Sequence, residues 1–187
     1  PGYFITFQHG ETLPKCYWKL QSRPHTDSYE KTVEKTPFLV KDSVLRQMVS
    51  DVPICTFLSG GVDSSLVSAI CSKELEKRGE RLSTFSFDFV GNSQNFKSNA
   101  FQLSQDRPYV EKMVKFLGSN HRYLECETKK QLELLTDSVK AHDLPCMADV
   151  DSSMLYFCSV VKQYNKVALT GECADEIFGG YPWFHKK

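Results

Sequence analysis

Ile54-Cys55-Thr56-Phe57-Leu58-Ser59-Gly60-Gly61-Val62-Asp63-Ser64-Ser65 is the stretch on which the fold turns. Residues 54–58 form a short continuous apolar run, as expected of a strand buried on both faces of a parallel sheet. Ser59-Gly60-Gly61 breaks the run, and residues 63–78 then read as a helix, with apolar positions at 66, 67, 69, 70, 71 and 75 and Gly79 as its stop. The same alternation continues downstream. Strands are expected at 82–87, 123–126 and 166–170, and helices at 108–117, 131–141 and 152–164. Residues 91–105 are polar and rich in Asn, Gln and Ser, a loop long enough to be functional or mobile. The predicted fold class is therefore α/β, a parallel sheet with helices on both faces. In such sheets ligands bind at the carboxyl ends of the strands.

Upstream, the pattern differs. Residues 1–20 read as a β-hairpin around His9-Gly10-Glu11, too small to form a core alone. Residues 21–36 are polar and read as a linker. Residues 38–48 read as an amphipathic helix, with apolar positions at 40, 44, 45, 48 and 49. The division expected is a hairpin over 1–20, a linker over 21–36 and an α/β domain over 37–187.

Composition excludes several classes. The chain has 187 residues, 41% hydrophobic, with 23 Lys+Arg against 23 Asp+Glu. That is enough apolar material for a core and too little basic excess for a domain that lives on nucleic-acid phosphates. No run approaches the ~18 apolar residues of a membrane span. Seven cysteines, with no C-x-x-C pair, read as buried free thiols of a reducing cytoplasm. Cys55, Cys71 and Cys158 lie inside apolar runs.

Two segments carry chemistry. In Leu58 to Ser65, adjacent glycines allow a tight turn, and the amides at the helix start point into the concavity. Ser59, Ser64 and Ser65 add hydroxyl donors, which makes a phosphate cradle. No Walker A lysine follows the glycines. Asp63 beside phosphates calls for a bridging Mg²⁺; the plainer alternative is a helix cap. The second segment is Thr170-Gly171-Glu172-Cys173-Ala174-Asp175-Glu176, directly after a strand. If 172–178 opens a helix, Glu172, Asp175 and Glu176 share one face, where mutual repulsion calls for a metal or a raised carboxyl pKa. Asp175 suits a second Mg²⁺ contact and Glu172 a general base. The alternative is acidic residues favoured by the helix dipole.

S-G-G-V-D-S-S followed by G-E-C-A-D-E-I-F-G-G-Y-P-W-F-H closely resembles the synthetase half of the glutamine-hydrolysing asparagine synthetases. The first motif is shared with pyrophosphatase-loop ATPases at large, and the second narrows the choice. The likeness runs over about residues 37–187, and residues 1–20 resemble the last hairpin of that family's glutaminase domain. The resemblance implies synthesis of asparagine from aspartate, ATP and ammonia with Mg²⁺, through a β-aspartyl-AMP intermediate, with release of AMP and pyrophosphate. By resemblance Ser59, Gly60, Gly61, Asp63 and Ser64 grip pyrophosphate, Asp63 and Asp175 hold Mg²⁺, and Glu172 deprotonates ammonia. Leu58, the backbone of Phe87, Asp88 and Phe89, and Thr170-Gly171 would lie near adenine. The family often has Ser where Thr170 stands, a change the backbone contact survives. With only a final hairpin and no terminal cysteine, no glutaminase activity is expected of the chain. Two rival readings are a β-lactam-synthetase-like adenylating enzyme and a truncated nucleotide-binding module without turnover. The phosphate lysine of the family lies downstream, so Lys186 and Lys187 are not drafted for that role.

Four further features divide between function and packing. Residues 149–153 read as a helix cap rather than an aspartate pocket. Trp183, Phe184 and His185 suit packing or closure over substrate equally. His121 and His142 read as ordinary core or surface histidines, and the Lys and Arg residues between 107 and 122 as a solvated face. Oligomeric state has no signal in the sequence.

Overall fold

The β-hairpin at the start of the chain pairs β1 (Tyr3–Gln8) with β2 (Glu11–Cys16), antiparallel and in register from Tyr3↔Cys16 to Gln8↔Glu11. The computed structural model describes residues 2–8, 10–98, 104–145 and 147–185. The chain divides into two compact units, residues 1–38 and 39–187. In the first, the hairpin closes where Tyr17 and Trp18 donate their amides to the Gly2 carbonyl at 2.9 and 3.2 Å. Helix α1 (Tyr29–Gln47) crosses the boundary between the units. It begins well inside the stretch expected to be a linker and runs through Pro37. The start has a local cause: the Ser28 hydroxyl accepts the Lys31 amide at 3.3 Å, a cap, and Glu30 sits in the first turn.

The second unit is built on four parallel strands, β3 (Ile54–Phe57), β4 (Ser83–Phe89), β5 (Asn120–Cys126) and β6 (Val167–Leu169), in the order β5-β4-β3-β6. The expected parallel α/β sheet is thus observed. Between the strands run α2 (Val62–Glu76), the short α3 (Asn92–Asn95), α4 (Arg107–Leu117), α5 (Thr128–Glu133), α6 (Leu135–His142) and α7 (Ala148–Val161). After β6 comes α8 (Ala174–Phe178), then a 3₁₀ turn over Pro182–His185. Part of the long polar loop, residues 99–103, lies outside the described residues, as do Cys146, Lys186 and Lys187.

Alternation along the strands sorts the core. Ile54, Leu82, Val167 and Leu169 pack with Val44, Met48, Cys71 and Leu75. Cys55, Phe57, Phe85, Phe87 and Ala168 pack with Val161. Phe85 is 1% exposed, a burial that contributes roughly 1.5–3 kcal/mol. The inward stripe of α2 is Ser64, Ser68, Cys71, Ser72 and Leu75, while Leu66, one of the apolar positions of the helical pattern, is 46% exposed. Small residues let this helix lie close to β3, and the Thr56 and Ser68 hydroxyls bond to each other at 2.7 Å.

The cysteines divide differently from expectation. Cys55, Cys71 and Cys126 are buried free thiols, and burial pushes Cys55 and Cys71 up to about 12. Cys158 is exposed, at a pocket it lines with Phe57, Val161 and Ala168.

Candidate functional site

Strand order places a switch point between β3 and β6. From β3 the chain crosses to β4 on one side, while β6 joins β3 on the other. The turns leaving both strands open at their carboxyl ends, where crevices form in such sheets. A cavity of about 290 Å³ sits there. Leu58, Ser59, Gly61, Asp63, Ser64, Phe87, Thr170, Gly171, Glu172 and Asp175 all line it. Gly60, Ser65, Asp88 and Phe89 are not among the lining residues.

The first turn is stitched around Ser64. Its buried Oγ accepts the Ser59 amide at 3.2 Å, pairs with Ser59 Oγ at 2.9 Å and donates to the Gly61 carbonyl at 3.3 Å. Helix α2 starts at the Gly61 cap without a side-chain cap. Asp63 therefore stands in the first turn of the helix and does not cap it. Gly60 has φ +80, and a Cβ there would lie 2.7 Å from Tyr109 Cβ and 2.9 Å from Val110 N. Its role in this fold is thus to let the turn lie against the first turn of α4.

The second turn touches the first. A Cβ on Gly171 would lie 2.8 Å from Ser64 N and 2.9 Å from Asp63 Cβ. Helix α8 starts later than expected, because Cys173 at its cap has φ +68. Asp175 and Glu176 fall in its first turn, and Glu172 stands in the turn before it, off the helical face on which all three were expected. A Cβ on Gly180 would lie 1.9 Å from Asp175 Oδ1, so only glycine leaves that carboxylate its place. Tyr181 donates to Glu176 Oε1 at 2.7 Å, and this bond above all pushes its phenol up to about 12.

The cavity also draws on residues that the sequence did not single out, among them Ser86, Asp106, Tyr123 and Met154, and on Tyr181 at the end of the second motif. Ser86 Oγ donates to the Leu58 carbonyl. Asp88 is a structural knot: its carboxylate accepts from the Phe89 amide at 2.8 Å, Asn92 Nδ2 at 2.7 Å and the Tyr123 hydroxyl at 2.9 Å. Trp183 stacks on Tyr181 at 4.2 Å, and His185 Nε2 lies 2.7 Å from the Gly179 carbonyl oxygen. Residues 149–153 do not cap α7, which starts earlier, at the Met147 cap. Ser152 and Ser153 instead donate back to the Ala148 and Val150 carbonyls at 2.6 and 2.9 Å. Arg107 and Arg122 depart from a solvated face, lying over the Tyr123 and Tyr164 rings at 4.2 and 4.1 Å. His121 Nδ1 pairs with Thr84 Oγ1 at 2.9 Å, and among the described residues no group of three or more His, Cys, Asp or Glu side chains is placed to hold a metal.

Asp63, Asp106, Glu172, Asp175 and Glu176 face the cavity, and among the described residues that line it none is Lys, Arg or His. The donor set therefore suits a hard cation held by one or two carboxylates together with oxygens of a bound phosphate.

The sequence profile of the asparagine synthase family matches residues 38–187. The chain is 47% identical over 186 residues to asparagine synthetase [glutamine-hydrolyzing] 3 of Bacillus subtilis, covering 99% of this chain and 30% of that protein. It is 27% identical over 198 residues to the asparagine synthetase [glutamine-hydrolyzing] of Brassica oleracea, covering all of this chain and 31% of that protein. The chain thus spans less than a third of the length of these curated relatives. Among solved structures, NAD⁺ synthetase from Burkholderia pseudomallei aligns with 85% of this chain and 59% of that chain, at a TM-score of 0.43 and 15% identity.

Proposed function

The chain belongs to the asparagine synthase family, and on that premise we propose that it forms the ATP-binding part of a ligase that amidates aspartate. The observation that carries the reading is one cavity in which the Ser59–Ser64 turn meets the Thr170–Asp175 turn. In the reaction, an oxygen of the aspartate β-carboxylate attacks the α-phosphorus of ATP. The bond to the β-phosphate oxygen breaks, giving β-aspartyl-AMP and pyrophosphate. Ammonia then attacks the acyl carbon, and AMP leaves as asparagine forms.

Each turn has a part in this. The first-turn amides of α2, with the Ser59, Ser64 and Ser65 hydroxyls, grip the pyrophosphate, and Gly60 and Gly61 let the backbone come close. Leu58 and the backbone at Phe87 to Phe89, with Thr170-Gly171, receive the adenosine. Glu172 takes the proton that the attacking ammonia loses. Asp63 and Asp175 would hold Mg²⁺, which when bound neutralises charge on the leaving pyrophosphate. Residues 1–20 are read as the closing hairpin of a glutaminase domain and 21–36 as the link to it. Ammonia then comes from glutamine, in a cytoplasmic enzyme.

The test is calorimetric titration of the full-length protein with Mg-ATP, beside Asp63→Asn, followed by a product assay. Binding that the substitution reduces at least about tenfold is expected. AMP and pyrophosphate should form only when aspartate is present. A well-folded protein that binds no Mg-ATP, or that releases AMP equally well without aspartate, overturns the proposal.

A further inference from the structure

At the end of the cavity away from α8, Tyr123 joins elements that neither sequence motif includes. It pairs with Ser86 across the β4–β5 ladder, and it lines the cavity. Its hydroxyl donates to Asp88 Oδ2 at 2.9 Å, while Asp88 Oδ1 accepts from Phe89 N and from Asn92 at the start of α3. On the ring itself lies Arg107, with its guanidinium carbon 4.2 Å from the centroid. Arg107 is the first residue of α4 and also reaches Glu111 and Glu125, both at 3.8 Å. The same first turn of α4 is the surface against which Gly60 packs. One tyrosine therefore ties the end of β4 to α4, and α4 touches the glycine turn. Under the reading proposed above, on which this inference rests, these are the two surfaces between which the nucleotide lies.

We infer that Tyr123 is a positioning residue for the nucleotide, its hydroxyl fixing the end of β4 through Asp88 and its ring, under Arg107, fixing α4 and the glycine turn beyond it. The fold does not need that hydroxyl to hold β5 in place. Seven residue pairs from Ser83↔Asn120 to Phe89↔Cys126 already join the two strands, so the single hydrogen bond to Asp88 is not what keeps β5 in the sheet. Burial first, then the bond to Asp88, holds the Tyr123 phenol far above its usual range. It is therefore a neutral donor wherever the enzyme works. The effect expected is on nucleotide placement, in KM, and not on the acyl-transfer steps, in kcat.

The experiment uses the full-length protein and three variants. Tyr123→Phe keeps the ring under Arg107 and removes the bond to Asp88. Asp88→Asn weakens the same bond from the other side. Tyr164→Phe is the control, since Tyr164 also carries an arginine over its ring, Arg122 at 4.1 Å, but lies outside the cavity lining. Tyr123→Phe and Asp88→Asn should each raise the Kd of Mg-ATP and KM for ATP about five- to tenfold. Their kcat should stay within about twofold, and Tyr164→Phe should change neither. An unchanged KM, or a fall in kcat at constant KM, overturns the inference. So does a loss of affinity shared by Tyr164→Phe in proportion to Tm, which would make the role structural. A wild-type protein that binds no Mg-ATP overturns the nucleotide reading itself and this inference with it. The wild-type titration thus separates the two failures.

Discussion

A methyl group on Gly171 would sit 2.8 Å from Ser64 N, 2.9 Å from Asp63 Cβ and 3.0 Å from Asp63 C. Two of these are backbone atoms in the first turn of α2 and the third is bonded directly to that backbone, so the neighbour cannot swing aside. Gly171→Ala must push the second turn away from the first. The expected cost is about 1–3 kcal/mol of stability, with at least about a tenfold loss of Mg-ATP affinity. Gly79 offers the comparison. It has φ +72, but a Cβ there meets nothing within 4 Å. Gly79→Ala should cost about 1 kcal/mol through its backbone alone and leave affinity untouched. Urea unfolding and calorimetry on the two variants decide the matter; equal effects on binding would show that the two turns need not touch. At this scale the motif residues were legible because each motif is contiguous and each follows a strand. Ser86 and Tyr123 were not, since they reach the cavity from different strands and only the sheet order gathers them. Cys173 at φ +68 was illegible for another reason: a non-glycine residue in the left-handed region gives no sequence signal.

Elements were legible where apolar periodicity was strong and blurred where capping or proline decided. The apolar runs of β3 and β6 announced a parallel sheet. β5 is longer than its apolar run because Asn120, His121 and Arg122 are held by the ladder to β4 and not by hydrophobicity. The single helix expected over 131–141 is two, α5 and α6, joined at Leu134. α1 shows the conflict best. Pro37 suggested a boundary, since proline lacks the amide that an interior helical position donates. The Ser28 cap and the eight helical residues before Pro37 carry the helix across it nonetheless. Pro37→Ala should then restore an amide donor and remove the ring's clash with the preceding turn. Stability should rise by about 1–2 kcal/mol once the greater freedom of the unfolded chain is subtracted. Far-ultraviolet circular dichroism should show no loss of helix, and Tm should increase. A lower Tm would mean that Pro37 ends one helix and starts another, and that α1 is not continuous in solution.

For the molecule as a whole, charge is the constraint that sequence composition hides. The chain is neutral, with 23 basic and 23 acidic residues, yet among the described residues the five charged ones that line the cavity, Asp63, Asp106, Glu172, Asp175 and Glu176, are all acidic. A net charge of zero supplies no general attraction for an anion. Local positive field comes from the amino end of α2, equivalent to about half a unit charge, and from Arg107 behind the Tyr123 ring, which together fall short of the five carboxylates. ATP carries several negative charges, so the unaided cavity repels it. Removal of divalent cations with a chelator should therefore weaken ATP binding at least about a hundredfold, far beyond the loss of a single contact. Asp63→Asn should narrow that gap by weakening Mg-ATP while improving binding of metal-free ATP, because it deletes a ligand and a repulsive charge at once. The decisive measurement is a pair of calorimetric titrations, with Mg²⁺ and with chelator, on the wild type and on this variant. Equal affinity in both buffers would mean that a cationic side chain outside this lining neutralises the phosphates and that the carboxylates have another task. A gap that closes from both sides in Asp63→Asn ties the cation to that carboxylate and gives the concentration of acid at the proposed nucleotide site its reason.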